Sequence, residues 1–138
     1  MRAMVLAAGL GTRLRPLTND RPKALVEVAG RTMLDRTLEK LRGAGVNDVI
    51  VNAHHHADML IEYLKSHGNF GMRIEVSRED ELLDTGGGLK KAAWFFEGHA
   101  EEPFLLHNVE VLSTIDLQQM VRFHHERGAL ATLAVQDR

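Results

Sequence analysis

The sequence contains no cysteine. That absence excludes disulfide scaffolds, thiolate zinc sites, iron–sulfur ligation and cysteine nucleophiles together. A basic bias is also missing: 17 Lys and Arg stand against 19 Asp and Glu, for a formal charge of −2. No nucleic-acid partner is therefore expected from overall charge. No apolar run approaches the ~20 residues of a membrane-spanning helix. The apolar opening, residues 1–9, is too short for a secretory leader, and charged residues follow it at once. No membrane partner is expected, and a cytoplasmic location is the default. Internal repeats, low-complexity tracts and linkers are absent as well.

What is present is the balance of a globular protein, with 44% hydrophobic and 26% charged residues over 138 positions. That is the length of one domain, or of part of a larger one. A chain of this size should bury about two-thirds of its unfolded surface without help from disulfides or metals.

Apolar runs alternate with amphipathic stretches. Residues 3–8 (AMVLAA) read as a strand buried on both faces. Residues 31–45 carry Met33, Leu34, Thr37, Leu38 and Leu41 at helical spacing, and Gly43 and Gly45 end the pattern. Residues 48–53 (DVIVNA) form a second strand and residues 57–67 a second helix. Residues 73–79 alternate as a third strand nearer an edge, and residues 85–96 form a helix with a glycine-rich start. A fourth strand over 104–112, a helix over 117–126 and a fifth strand over 129–135 complete the pattern. Strands separated by helices pair in parallel through right-handed crossovers. The expected fold is α/β: a doubly wound, mostly parallel open sheet of strand order 3-2-1-4-5. The fifth strand stops just short of the last residue with nothing to cover its outer side. The expectation is a fold C-terminally incomplete, with an open edge that a second copy could close as a homo-oligomer.

In such sheets ligands bind beyond the carboxyl ends of the strands, where strand order reverses. The first strand leads into Gly9-Leu10-Gly11-Thr12-Arg13-Leu14-Arg15-Pro16. Glycines there allow tight turns and close approach, and successive N–H groups form an anion-binding concavity. Arg13 adds a bidentate donor suited to phosphate oxygens. Arg21-Pro22-Lys23 follows, with Pro22 stiffening the backbone before Lys23. This is the composition of a polyphosphate site, the bland alternative being an ordinary βα turn with surface arginines. A dinucleotide-dependent oxidoreductase is disfavoured: Leu14 stands where the fingerprint needs glycine, and Asn52-Ala53-His54 stands where it wants an acid. A P-loop's closing Gly-Lys-Ser/Thr is absent too.

The run from Gly9 to Thr18, then Arg21-Pro22-Lys23-Ala24-Leu25 and Val28, resembles the signature of the sugar-1-phosphate nucleotidyltransferases, the NDP-sugar pyrophosphorylases. Asp84-Thr85-Gly86-Gly87-Gly88 and His107-Asn108-Val109-Glu110 extend the likeness over nearly the whole chain. It is nearest to the N-acetylmuramate-1-phosphate uridylyltransferase and mannose-1-phosphate guanylyltransferase-like group. The resemblance implies a Rossmann-like nucleotide-diphospho-sugar transferase fold. Residues 1–138 would be the nucleotide-binding part of a nucleotidyltransferase domain. The reaction it implies is NTP plus sugar-1-phosphate giving NDP-sugar and pyrophosphate. By the same resemblance Ala8 and Gly9 would lie by the base, and Gly11, Thr12 and Arg13 would hold the phosphates. Lys23 would meet the reacting phosphoryl groups, Arg13 and Lys23 being the catalytic cations. Gly87 and Gly88 would bind the nucleoside, and Asn108 the sugar phosphate or ribose side.

Three adjacent glycines cost helix propensity, ~1 kcal/mol for each one inside a helix. A close backbone approach to a ligand is the expected reason, with Thr85 as the helix N-cap. In the fourth strand Asn108 and Glu110 should share a face, being two apart. A carboxylate facing a phosphate site calls for a cation between them, and Mg²⁺ is the natural one. Glu110 is the expected metal ligand. The family carries Asp at this position, and the extra methylene displaces the carboxylate by about 1.5 Å. The alternatives are a Glu110 paired with Arg13 or Lys23 without metal, and a nucleotide-binding domain that is catalytically weak or inactive.

The remaining features read mainly as structural. His54-His55-His56 cannot easily aim three rings at one ion, although His55 or His56 could border the ligand cleft from the strand's carboxyl end. Trp94, Phe95 and Phe96 read as core. The charged stretch 78–81 reads as a solvated turn, in which Glu79 could approach the base.

Overall fold

The computed structural model describes residues 1–137. The main sheet has four parallel strands: β1 (Arg2–Leu6), β4 (Asp48–Ala53), β5 (Arg73–Arg78) and β6 (Leu105–Asn108). Their order is β5-β4-β1-β6, with Leu6 beside Asn52 on one edge and Asn108 on the other. This matches the first four places of the expected 3-2-1-4-5 order. Helices α1 (Met33–Gly43), α2 (Ala57–Ser66), α3 (Asp84–Lys91) and α4 (Leu117–Arg127) follow in chain order. Before α1, β2 (Glu27–Val28) and β3 (Arg31–Thr32) make a minimal antiparallel hairpin that periodicity does not reveal.

Two cores explain the unbroken apolar run of β1. Ala3 and Val5 join Val49 and Val51 beneath α1 and α2, through Leu34, Leu38, Leu41, Leu60 and Leu64. Met4 and Leu6 join Ile50 on the opposite face, against Ala92 and Phe95. Successive side chains from Ala3 to Leu6 thus serve opposite buried faces, so none of them can be polar. The stripe Met33, Leu34, Thr37, Leu38 and Leu41 is the buried face of α1. Thr32 caps that helix, accepting from the Asp35 amide at 3.1 Å. The Arg31 guanidinium, 2.9 Å from Asp35, holds that carboxyl below its usual value and so reinforces the first turn.

The expected fifth strand is not formed. Residues 129–135 have no ladder partner among the described residues, and Leu130, Leu133 and Val135 are almost wholly exposed. Alternation records a tendency to bury one face; a strand also needs a neighbour for its backbone groups. Instead Thr132 meets His124 of α4 at 3.0 Å. Among the described residues β5 is one edge of the sheet, and β6 is therefore the other. That strand is also shorter than the expected 104–112, ending at Asn108 in a turn through Val109 and Glu110. The helix expected over 85–96 is divided into α3 and a 3₁₀ turn, Ala93–Phe96. Of its aromatics only Phe95 is core; Trp94 is half exposed. Among the described residues no helix is long and apolar enough to cross a membrane.

Leu38→Ala, at a fully buried position of α1, should lower unfolding free energy by ~2–5 kcal/mol. Leu133→Ala, in the segment without a strand partner, should change it by less than ~0.5 kcal/mol. Urea denaturation of both variants measures the contrast.

Candidate functional site

The topology places the crevice. From β1 the chain crosses to β4 on one side, and the later strand β6 lies on the other. The loops after β1 and β6 therefore face each other beyond the carboxyl ends, as the switch-point rule requires.

The loop after β1 is built around Gly11. Its φ of 66° is left-handed, and a Cβ there would stand 2.7 Å from Thr18 Cγ2. Both facts demand glycine. Buried Thr18 donates its hydroxyl to the Gly11 carbonyl at 2.7 Å, which closes the loop on itself. Thr12 and Arg13 begin a short 3₁₀ turn, Thr12–Leu14, and both are exposed. Arg13 makes no ion pair among the described residues, whereas Arg21 is paired with Asp20 at 3.1 Å. That guanidinium holds the Asp20 carboxyl below its usual value.

Lys23 follows buried Pro22 and starts the next 3₁₀ turn, Lys23–Leu25. Its Nζ lies 3.0 Å from where a Cβ would stand on Gly9, so the ammonium lies over the loop. The same Nζ donates to Glu110 Oε2 at 3.0 Å. The expected convergence of the first loop and the acid after β6 is present, and the pairing with Lys23 is one of the alternatives read from the sequence. Glu110 arrives by a route other than the expected one. It sits in the turn after the strand, so strand alternation with exposed Asn108 does not set its direction. Val109 anchors that turn: it is fully buried, its N–H donates to Leu6 O, and its carbonyl accepts from Thr37 Oγ1 at 3.3 Å. No cluster of three or more metal-ligating side chains occurs among the described residues. Glu110 is the carboxylate that the loop brings to Lys23, and its second oxygen has no hydrogen-bond partner among them.

The glycine cluster reaches the site from β5. Thr85 is not the cap of α3; it lies within the first turn, and Leu83 occupies the cap position. Packing accounts for much of the glycine run, contrary to expectation. A Cβ on Gly87 would stand 2.8 Å from Leu83 Cβ, and one on Gly88 would stand 2.7 Å from Glu79 Oε1. Gly86 alone of the three faces open space within 4 Å. Glu79 is likewise not solvated: only 2% of it is exposed. Its carboxylate accepts from Asn52 Nδ2 at 2.9 Å and from the Leu83 amide at 3.1 Å. Asn52 in turn accepts from the amides of Ala7 and Ala8 at 2.6 and 3.2 Å. Asn52 is not among the expected site residues, and Glu79 is expected only as a residue of a solvated turn that could approach the base. The signal for them is an amide within an apolar strand, which burial obliges to find partners. Of the histidines, His54 Nδ1 meets the Glu79 carbonyl at 2.8 Å and His55 Nε2 the Thr18 carbonyl at 3.3 Å, so both brace backbone beside the loop after β1 and the segment after β5.

Comparison with known proteins matches this chain over residues 2–138 to a family model described as Nucleotidyl transferase. N-acetylmuramate alpha-1-phosphate uridylyltransferase of Caulobacter vibrioides is 48% identical over 111 residues, 78% of this chain and 45% of that protein. Mannose-1-phosphate guanyltransferase of Aspergillus fumigatus is 37% identical over 98% of this chain and 37% of its own length. The chain thus spans less than half the length of these curated relatives. Among solved structures, HddC from Yersinia pseudotuberculosis complexed with GMP-PN superposes with a TM-score of 0.77 at 28% identity, over 89% of this chain and 53% of that one. UDP-glucose pyrophosphorylase from Acinetobacter baumanii gives 0.78 at 20% identity over 94% and 54%, a likeness of fold alone.

Burial holds the β6 imidazole of His107 below its ordinary value of 6.5, with nearby Lys40 acting in the same direction. Its buried Nδ1 has no hydrogen-bond partner among the described residues. Below that value the unfolded imidazole takes a proton that the folded one refuses. Stability should therefore fall as pH drops through about 6.5, the unfolded imidazole's value, and below it. His107→Leu should reduce that slope, read from Tm above and below that pH; an unchanged slope contradicts the assignment.

Proposed function

The chain belongs to the nucleotidyl transferase family, and on that premise we propose that residues 1–138 are the nucleotide-binding part of an enzyme making NDP-sugars. The reaction is transfer of NMP from an NTP to a sugar-1-phosphate with release of pyrophosphate. The observation that carries this reading is Lys23 Nζ, held between the Gly9–Gly11 loop and Glu110. The likeness to a uridylyltransferase and a guanyltransferase acting on sugar phosphates supports it.

In this reading the sugar phosphate oxygen attacks the α-phosphorus in line. A new P–O bond forms there, and the bridging bond to the β-phosphate breaks as pyrophosphate leaves. Anions are brought together and charge spreads in the transition state, so fixed donors aimed at those oxygens lower the barrier. The amides of Gly11 and Thr12 and the Arg13 guanidinium would hold the phosphates. Lys23 would meet the reacting phosphoryl group. Ala8, Gly9, Gly87 and Gly88 would border the nucleoside, and Asn108, at the β6 end, the sugar phosphate or ribose side. Glu110 fits a role as a protein ligand of Mg²⁺, because one of its oxygens remains available beside the loop. When bound, Mg²⁺ would neutralise phosphate charge, with nucleotide oxygens and water completing its shell.

A second reading is nucleotide binding without turnover. The Lys23–Glu110 pair favours it, since the acid is already neutralised by the lysine that the chemistry needs. Titration with UTP and GTP, then pyrophosphate release with a panel of sugar-1-phosphates, separates the two. Release in the unmodified chain or in Glu110→Asp supports transfer; binding with no release in either supports the second reading.

Arg13→Ala should weaken Mg²⁺–NTP binding by about tenfold or more, the loss of a charge-assisted hydrogen bond; unchanged affinity contradicts the phosphate role. Glu110→Gln should bind NTP more tightly than the parent in EDTA, because a repelling charge is gone. It should also lose most of the gain that Mg²⁺ gives the parent. An equal Mg²⁺ effect in both would remove Glu110 as the metal ligand.

A further inference from the structure

Three connections leave the carboxyl side of the sheet near one point. The segment after β1 begins at Ala7 and Ala8, β4 ends just beyond Asn52, and the segment after β5 runs through Glu79 and Leu83 into α3. Asn52 is 3% exposed and Glu79 2%. The bonds between them form a continuous chain: the Ala7 and Ala8 amides donate to Asn52 Oδ1, Asn52 Nδ2 donates to Glu79 Oε1, and the Leu83 amide donates to Glu79 Oε2. Gly88 lies against the middle of that chain, where a Cβ would stand 2.7 Å from Glu79 Oε1 and 2.8 Å from Asn52 Nδ2. A buried carboxylate is costly, and an apolar pair of similar size would pack at lower cost. What an apolar pair cannot do is fix two backbone segments to each other through directed bonds.

We propose that Asn52 and Glu79 are positioning residues that lock the segment after β1 to the glycine segment of α3, so that a nucleotide meets both as one preformed surface. Its consequence for ligands rests on the nucleotide-binding reading above; its geometry does not. Neither side chain is a catalytic residue. They act through the amides they hold, and preorganisation of this kind raises affinity by removing the ordering cost of binding.

The polarity of the pair supplies a specific test. Asn52→Asp keeps the acceptor for the Ala7 and Ala8 amides but sets a carboxylate oxygen against Glu79 Oε1. Glu79→Gln leaves an amide N–H pointing at either the Asn52 amide or the Leu83 N–H, donor against donor. Combining the two substitutions reverses the central hydrogen bond, satisfies every other group and leaves the net charge unchanged.

Amide hydrogen exchange on the ligand-free chain is the first readout. Glu79→Gln should speed exchange at Ala7 and Ala8 by about tenfold or more, although residue 79 is hydrogen-bonded to neither. Asn52→Asp should do the same at Leu83, and the double variant should restore all three amides. Nucleotide affinity is the second: each single variant weakens Mg²⁺–UTP or Mg²⁺–GTP binding, and the double variant recovers it. If Glu79→Gln loosens Leu83 alone, or the double variant is as damaged as the singles combined, the coupling is refuted. Should both singles fail to fold, a folded double variant with parent-like exchange supports the lock, and an unfolded one overturns it. If the parent binds no nucleotide, the nucleotide reading fails, while the exchange rates still decide the lock.

Discussion

Strand β1 is enclosed on every side but one. Parallel neighbours take both its edges, and helical layers cover both its faces. Such a strand has to be apolar from Ala3 to Leu6, and the chain leaves it at the carboxyl end. The segment emerging there carries backbone N–H groups at a place where no ladder continues. Those groups must be satisfied by side chains, by water or by a ligand. The rest of the site follows from that requirement. Asn52 takes two of these amides, Thr18 closes the loop at Gly11, and Lys23 sits over the glycines.

Two side-chain links tie this segment to its surroundings, and they differ in kind. Lys23–Glu110 joins it to the turn after β6 through a partly exposed ion pair. Its members are 12% and 33% exposed, so the pair keeps contact with solvent and its charges can be redistributed when anions arrive. Asn52–Glu79 joins the segment to α3 through buried groups with matched donors and acceptors. A link of that sort resists rearrangement, because any unpaired member is costly. One side of the crevice can thus respond to a charged ligand while the other holds its shape. The division suits a site in which nucleoside and phosphates are bound at opposite ends of one loop.

Much of this is legible in the amino-acid sequence. The stripe from Met33 to Leu41 has the period of a helix, and the same five residues are the ones buried. The run 48–53 forms β4 without a change of boundary. The glycine and basic spacing after β1 locates the loop, and the acid after β6 does face it. Where pattern and fold part, a partner or a direction is missing from the pattern. The alternating apolar residues of 129–135 carry no information about whether a neighbouring strand is available. Glu79 sits in a charged stretch whose composition signals solvent, yet the carboxylate turns inward because Asn52 and the Leu83 amide await an acceptor there. The glycines of α3 do signal a close approach. What approaches Gly87 and Gly88 in the folded chain is its own Leu83, Glu79 and Asn52.

The central claim is that the loop after β1 and the turn holding Glu110 bind one Mg²⁺–triphosphate between them. Titrating the ¹⁵N-labelled chain with Mg²⁺–UTP or Mg²⁺–GTP and following backbone amides tests it most directly. The amides of Gly9, Gly11 and Thr12 and those of Val109 and Glu110 should shift together along a single binding curve. Shifts confined to one of the two segments, or curves that do not coincide, would contradict a shared site.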